Sequence, residues 1–92
     1  MSRNNYDIDI ATMLFLRYKS PIVALDTVVD DYLPHLNAKT AKREANNCQL
    51  PFPAFRTTKS SKAEYFVNIS DLAVWLEKER EQARQDWQSM NN

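Results

Sequence analysis

Not one of the 92 residues is glycine, and that absence constrains the fold more than any residue present. Glycine is the default wherever a chain needs positive φ or a tight hairpin turn. Here every turn must be made with Pro, Asn, Asp, Ser or Lys, which favours helices and open loops over two-residue hairpins. A glycine-rich loop that cradles phosphates is ruled out as well. A chain of 92 residues is long enough for one domain with a small core and too short for two.

Within these limits the stretch Asp26–Ala45, DTVVDDYLPHLNAKTAKREA, carries the clearest structural order. It reads as two short helices joined by a Pro-broken turn. Asp26 suits the cap of the first, because a carboxylate accepts an orphan N–H of the opening turn. Val28, Val29, Tyr32 and Leu33 follow as a one-sided apolar stripe at helical spacing. Pro34 disfavours helical geometry at Leu33 and ends the first helix there. Asn37 suits the cap of a second helix of good helix formers. Ala41 and Ala45 share one face and allow close approach, leaving Lys39, Lys42, Arg43 and Asn46 on the other. A short helix crossed by a basic second one is the form of a helix-turn-helix, whose second helix enters the DNA major groove.

Net charge is zero, which alone argues against a nucleic-acid partner, but the distribution argues otherwise. Residues 38–62 carry six basic and one acidic side chain, whereas 1–37 are net −2 and 63–92 net −3. Such a concentrated basic segment is an electrostatic footprint that overall charge can hide. The duller reading is a solvated basic surface balanced by acidic helices.

Before this stretch, Met1–Tyr6 is expected to fray. Asp7 or Asp9 starts a helix running to Tyr18 and stopped by Ser20 and Pro21. Ile8, Ala11, Leu14, Phe15 and Tyr18 form its stripe, and Ile10, Met13 and Leu16 widen it. A helix this apolar covers the core or meets a second subunit. Ile22–Leu25 is a β-prone run able to join a small sheet. After the helix pair, Cys48 is expected to pack as a small apolar residue and Leu50 to enter the core. Phe52 either is exposed or covers the helix pair. Ala54–Thr57 and Glu64–Val67 read as two strands, with Phe55, Tyr65 and Val67 on one face and Phe66 on the other. Between them TKSSKA is a basic loop of the kind called a wing. It is expected to be looser than a two-residue hairpin, with Lys59 and Lys62 able to reach phosphates or the minor groove. Asn68 or Ser70 caps a last helix of about 18 residues and about 27 Å, with Leu72, Trp75 and Leu76 facing inward and Trp75 the largest core residue. Its far end, with Trp87 and Met90, projects or meets a partner.

No apolar run approaches the roughly 20 residues that span a bilayer. Met1–Asp9 is polar, without the core of a signal peptide. The lone Cys48 excludes an internal disulfide. A cytoplasmic, nucleoid-associated location and no membrane partner are therefore expected. Catalysis has little to stand on. His35 is the one histidine, without a second ligand near in sequence. Asp30 and Asp31 are helical neighbours and do not face one another. Neither Cys48 nor Ser60 and Ser61 has a recognisable base.

From Asn37 the chain follows N-x-x-T-A-K-R-x-x-x-x-x-Q-L-P, a strand, a basic loop, E-Y-F-V and D-L-A-x-W-L. This resembles AlpA-like regulators and excisionases, the small winged helix-turn-helix proteins of phages and integrated elements. The whole chain resembles the pyocin activator (PrtN) family more closely, through Thr12–Leu16, Ile22–Leu25, Asp31–Leu36, Lys39–Arg43 and Leu50–Pro51. The match covers Thr12 to Arg80, and the order and spacing of the features carry it. The wing without glycine departs from many AlpA-like members. The resemblance implies a mainly α fold with a small β-hairpin wing (α+β), a winged helix-turn-helix over 7–80; it does not fix the tail after Arg80, where the residues themselves read as a polar extension of the last helix over 81–92. It implies an activator of prophage or phage-related genes that binds double-stranded DNA, with no cofactor, no metal and no enzymatic activity. It places Thr40 at the opening of the recognition helix, where a hydroxyl can hold a phosphate. Two alternatives are an excisionase-like DNA-bending protein acting beside an integrase, and a phage-encoded protein–protein module.

The recognition helix is placed at 38–47 and the wing at 57–63. Arg43 is best suited to a base edge, because a guanidinium bonds bidentately to guanine O6 and N7. Asn46 or Asn47 suits adenine. Lys39 and Lys42 suit phosphates, and Arg56, Lys59 and Lys62 extend that contact. The duller reading of each is a solvated surface charge. A homodimer or cooperative array through the first and last helices would pair two half-sites, and an activator would also meet host RNA polymerase.

Overall fold

The structure, a computed structural model, describes residues 9–91. The fraying expected at Met1–Tyr6, the helix start offered at Asp7 and the stripe position Ile8 lie outside the described residues. The elements run α1 (Ile10–Tyr18), β1 (Ile22–Ala24), α2 (Leu25–Tyr32), α3 (Ala38–Asn46), β2 (Phe55–Arg56), β3 (Tyr65–Asn68) and α4 (Ile69–Met90). The fold is mainly helical with a small antiparallel sheet, a winged helix-turn-helix.

α1 begins where Asp9 caps it, its carboxylate accepting from the Thr12 N–H at 2.7 Å. Leu14 is its fully buried residue, with Ile10, Ala11 and Tyr18 partly covered. Phe15, expected in the buried stripe, is 50% exposed, and Met13 and Leu16 are exposed beside it. α1 packs chiefly on α4, so one side of a short, nearly all-apolar helix is covered and the rest is not. The helix ends at Tyr18, as expected, with Lys19 as its C-cap ahead of Ser20 and Pro21. Lys19 takes φ 57° and donates its N–H to the Phe15 carbonyl at 2.6 Å.

Leu25, read as the last residue of a strand, opens α2 instead. The cap position falls on Ala24, which makes no side-chain cap. Asp26 is therefore not the cap; it lies in the first turn, where its charge still favours the positive end of the helix dipole. α2 ends at Leu33, as Pro34 dictates, with the Leu33 N–H on the Val29 carbonyl at 2.8 Å. Asn37 caps α3 by accepting from the Thr40 N–H at 2.7 Å. Ala41 and Ala45 are buried where α3 meets α2.

The sheet order is β1-β3-β2, antiparallel throughout. β1 joins through Val23, which pairs with Val67, and both side chains enter the core. In the hairpin Phe55 stands opposite Phe66 and Arg56 opposite Tyr65. Cross-strand partners share a face, so Phe55 lies with Phe66, its ring 6.4 Å away, and not with Tyr65 and Val67 as expected.

Leu72, Val28 and Val67 form the fully buried centre. Phe52 is buried over it, while Leu50 is only partly covered. Trp75 is also only partly buried, lying edge-on to Phe52 with centroids 5.3 Å apart. It covers the core rather than filling it, because α4 turns its smaller Leu72 and Ala73 inward. α4 is capped by Asn68, which accepts from the Ser70 N–H. It runs 22 residues, about 33 Å and longer than the 18 residues expected. Trp87 and Met90 are 65% and 85% exposed. Arg80–Glu77 and Arg84–Glu81 ion pairs line its polar surface, and the hydrogen bond from Arg84 holds Glu81 below the ordinary carboxylate range.

α1 and α2 are latched by side chains. Tyr18 donates to Asp31, and Arg17 pairs with the same carboxylate at 3.1 Å. The Arg17 guanidinium lies 5.2 Å from the Tyr18 ring centre and 5.9 Å from that of Tyr32. Burial, and then the hydrogen bond to Asp31, push the Tyr18 hydroxyl well above the ordinary tyrosine range.

Candidate nucleic-acid interface

With 3.6 residues per turn, the burial of Ala41 and Ala45 sets the orientation of α3. Arg43 then lies almost opposite that buried seam and points straight out from the domain. Lys39, Lys42 and Asn46 fall on one flank of it, and Thr40 and Asn47 on the other. Lys39, Arg43, Asn46 and Asn47 are exposed, and Thr40 and Lys42 are partly covered. Asn47 is the helix C-cap, its N–H on the Arg43 carbonyl at 3.1 Å.

The wing is the loop 57–64 between β2 and β3. It turns through Ser60, whose carbonyl accepts from the Ala63 N–H at 3.0 Å and whose hydroxyl accepts from the Lys62 N–H at 3.2 Å. Serine thereby closes a turn that commonly uses glycine. The loop is longer and more open than a two-residue hairpin, as the composition requires.

Helix and wing are tied together. The Lys42 ammonium donates to the Ser61 carbonyl at 2.8 Å. The Tyr65 hydroxyl donates to the Asn46 carboxamide oxygen. The Arg56 guanidinium lies 5.2 Å from the Tyr65 ring centre and reaches the Ser60 carbonyl at 3.4 Å. Lys42 and Arg56 spend hydrogen bonds on neutral carbonyls, so their charge stays available to an outside anion. Lys39, Arg43, Lys59 and Lys62 make no side-chain hydrogen bond among the described residues. The basic side chains of the 38–62 segment thus come from two elements locked side by side, α3 and the wing with its base.

Residues 11–83 match the family model described as pyocin activator protein PrtN. The chain belongs to the PrtN pyocin-activator family. Searches of curated proteins and of solved structures return no match. Membership in that family together with the winged helix-turn-helix fold gives the coarse role, a DNA-binding transcriptional regulator in a phage context. PrtN-type activators are not enzymes. Among the described residues no group of three His, Cys, Asp or Glu could hold a metal ion, and no helix is long and apolar enough to cross a membrane.

Two residues of this candidate interface are not singled out for it by the sequence pattern. Tyr65 reads there as an inward strand residue, yet its hydroxyl meets α3. Ser61 contributes through a backbone carbonyl, which no side-chain pattern can reveal. The available signal is the aromatic that directly follows the wing in E-Y-F-V. Cys48 departs from the small apolar packing expected of it. It is exposed, takes φ 54° and edges an open apolar cleft of about 440 Å3 formed by Leu50, Pro51 and Phe52. The cause is the end of α3. The Cys48 N–H bonds the Ala45 carbonyl at 3.2 Å and the Gln49 N–H the Glu44 carbonyl at 2.8 Å. This is the Schellman pattern, which demands a left-handed residue at this position.

Proposed function

We propose that the chain is a sequence-specific activator of prophage or phage-related genes. It places α3 in the major groove of double-stranded DNA and the wing on the adjoining backbone or minor groove. The observation that carries this reading is the outward face of α3, with Arg43 opposite the Ala41–Ala45 seam and a basic wing held beside it by Lys42 and Ser61. In this reading Arg43 takes a base edge, where a bidentate pair with guanine is worth about 1–3 kcal/mol of discrimination. Lys39, Thr40, Lys42, Asn47, Arg56, Lys59 and Lys62 fix the register on phosphates, and Asn46 faces a base. Two copies on neighbouring half-sites raise affinity and specificity. The apolar surfaces left open at Phe15 and Leu16 on α1, and at Trp87 and Met90 on α4, support a homodimer or cooperative array. Contact with host RNA polymerase follows if the protein activates directly.

The test is retention of sheared source-genome fragments by the purified protein at about 150 mM salt, where non-specific phosphate binding is weakened, followed by sequencing. A sharp peak upstream of a phage-like operon is the expected result. A peak at an attachment site, with the DNA bent there, replaces the activator with an excisionase working beside an integrase. Uniform retention, or none, rejects base reading by α3 and points to a protein partner.

A further inference from the structure

We infer that Tyr65 turns the NH2 of Asn46 outward, so that the position facing Asn46 favours guanine or thymine over adenine and cytosine. This rests on the placement of α3 in the major groove proposed above. It also sets aside Asn46 for the adenine contact that the sequence offers to Asn46 or Asn47.

A free asparagine carboxamide offers one acceptor oxygen and an NH2 with two donors. Its bidentate pairing with adenine uses both ends, the oxygen accepting from N6 and the nitrogen donating to N7. In this structure the oxygen is turned toward β3, because the Tyr65 hydroxyl donates to Asn46 Oδ1. The tyrosine is itself fixed in place. Its strand is held in register by Phe55 opposite Phe66, and its ring is covered by the Arg56 guanidinium at 5.2 Å. Arg56 in turn reaches the Ser60 carbonyl of the wing. The carboxamide therefore lies with its oxygen toward β3 and its NH2 away from it. Asn46 is exposed, and its NH2 donates to nothing among the described residues.

An outward NH2 requires acceptors. In the major groove guanine presents two, N7 and O6, and thymine presents O4. Cytosine presents its N4 amino group, a donor set against a donor. Adenine offers N7 alone, because the Asn46 oxygen that would accept from its N6 amino group faces Tyr65, so it loses the bidentate pair and ranks below guanine with its two adjacent acceptors. Tyr65 is thus a positioning residue. It touches no base and sets which base class Asn46 accepts. The wing is coupled to the same choice, because Arg56 joins the Tyr65 ring to the wing turn.

The test is selection from a randomised duplex library with the full chain, comparing wild type with Asn46→Ala, Tyr65→Phe and Asn46→Asp. Asn46→Ala should flatten preference at one position and leave the others intact, which identifies the base facing Asn46. At that position the wild type should favour guanine or thymine. Tyr65→Phe frees Oδ1 and should raise adenine there at least about fivefold relative to wild type, within the range of one bidentate contact. Asn46→Asp presents acceptors in place of donors and should move the preference to cytosine. The inference is overturned if the wild type favours adenine or cytosine at that position, or if Asn46→Ala flattens none. It is equally overturned if Tyr65→Phe weakens retention of all sequences alike without altering the preference, since a purely structural tyrosine would do that. If Asn46→Asp keeps guanine or thymine, the donor assignment is wrong. A wild type that enriches no sequence at all removes the placement of α3 in the groove, and this inference with it.

Discussion

Replacing Cys48 with glycine should stabilise the protein. Cys48 follows the C-cap of α3 at φ 54°, where the Schellman bonds from Cys48 and Gln49 to Ala45 and Glu44 close the helix. An L-residue with a Cβ pays roughly 1–2 kcal/mol in this region. Glycine removes that strain but gains unfolded-state freedom worth about 0.4–1 kcal/mol. The thiol is exposed and in no disulfide, so little packing is lost with it. The net is a gain of roughly 0.5–1 kcal/mol, or about 2–8 °C in Tm for a domain of this size. The assay is thermal unfolding followed by circular dichroism under reducing conditions, with Cys48→Asn and Cys48→Val beside Cys48→Gly. The expected order of stability is glycine, asparagine, wild type, valine, because asparagine tolerates left-handed geometry and a β-branched residue resists it. A glycine variant no more stable than wild type, with valine no worse, would refute left-handed geometry at residue 48 and the helix end built on it.

Asn37→Ala should cost about 1 kcal/mol by removing the cap of α3, measured by urea unfolding; an unchanged midpoint would mean that the Thr40 N–H has another partner. Because the Tyr18 proton is held more tightly in the folded than in the unfolded state, its contribution is complete below the ordinary tyrosine range near pH 10 and is lost as pH rises above it. Unfolding free energy should therefore fall above about pH 10, and Tyr18→Phe should flatten that fall. DNA affinity should decline steeply with salt. Five basic side chains, Lys39, Lys42, Arg56, Lys59 and Lys62, are assigned to phosphates, and full engagement gives a slope near −4.5 in log K against log salt, at about −0.9 per contact. A fluorescence-anisotropy titration with a slope shallower than about −2 would contradict phosphate anchoring by α3 and the wing together.

Where the fold was legible in the sequence, one local interaction decided the outcome. Asn37, Asn68 and Asp9 each cap a helix because the geometry spans three residues or fewer. Pro34 ends α2 by sterics alone, and the Ala41–Ala45 seam follows from helical period and side-chain size. Legibility fails where two distant segments must be aligned. Period-two counting along β2 and β3 cannot set the phase of one strand against the other, so Phe55 is assigned to the wrong face until the loop 57–64 fixes the register. Leu25 illustrates a different failure. An apolar run of four fits a strand or a helix start equally well, and pairing with β3 ends at Ala24. The candidate site was legible as a cluster of charges but not as a set of orientations. Arg43 follows from period and burial, whereas the Lys42–Ser61 and Tyr65–Asn46 ties cross 19 positions of sequence and leave no local trace.

The central claim is that α3 reads bases while the wing holds the backbone. Comparing Arg43→Ala with Lys59→Ala, on the selected site and on a scrambled duplex of equal length, tests it most directly. Arg43→Ala should reduce the ratio of specific to non-specific affinity about tenfold, within the 1–3 kcal/mol of one bidentate base contact. Lys59→Ala should lower both affinities by the same factor and make the salt slope shallower by about 0.9. If Arg43→Ala also lowers both affinities equally, Arg43 is one more phosphate contact and α3 does not read the sequence.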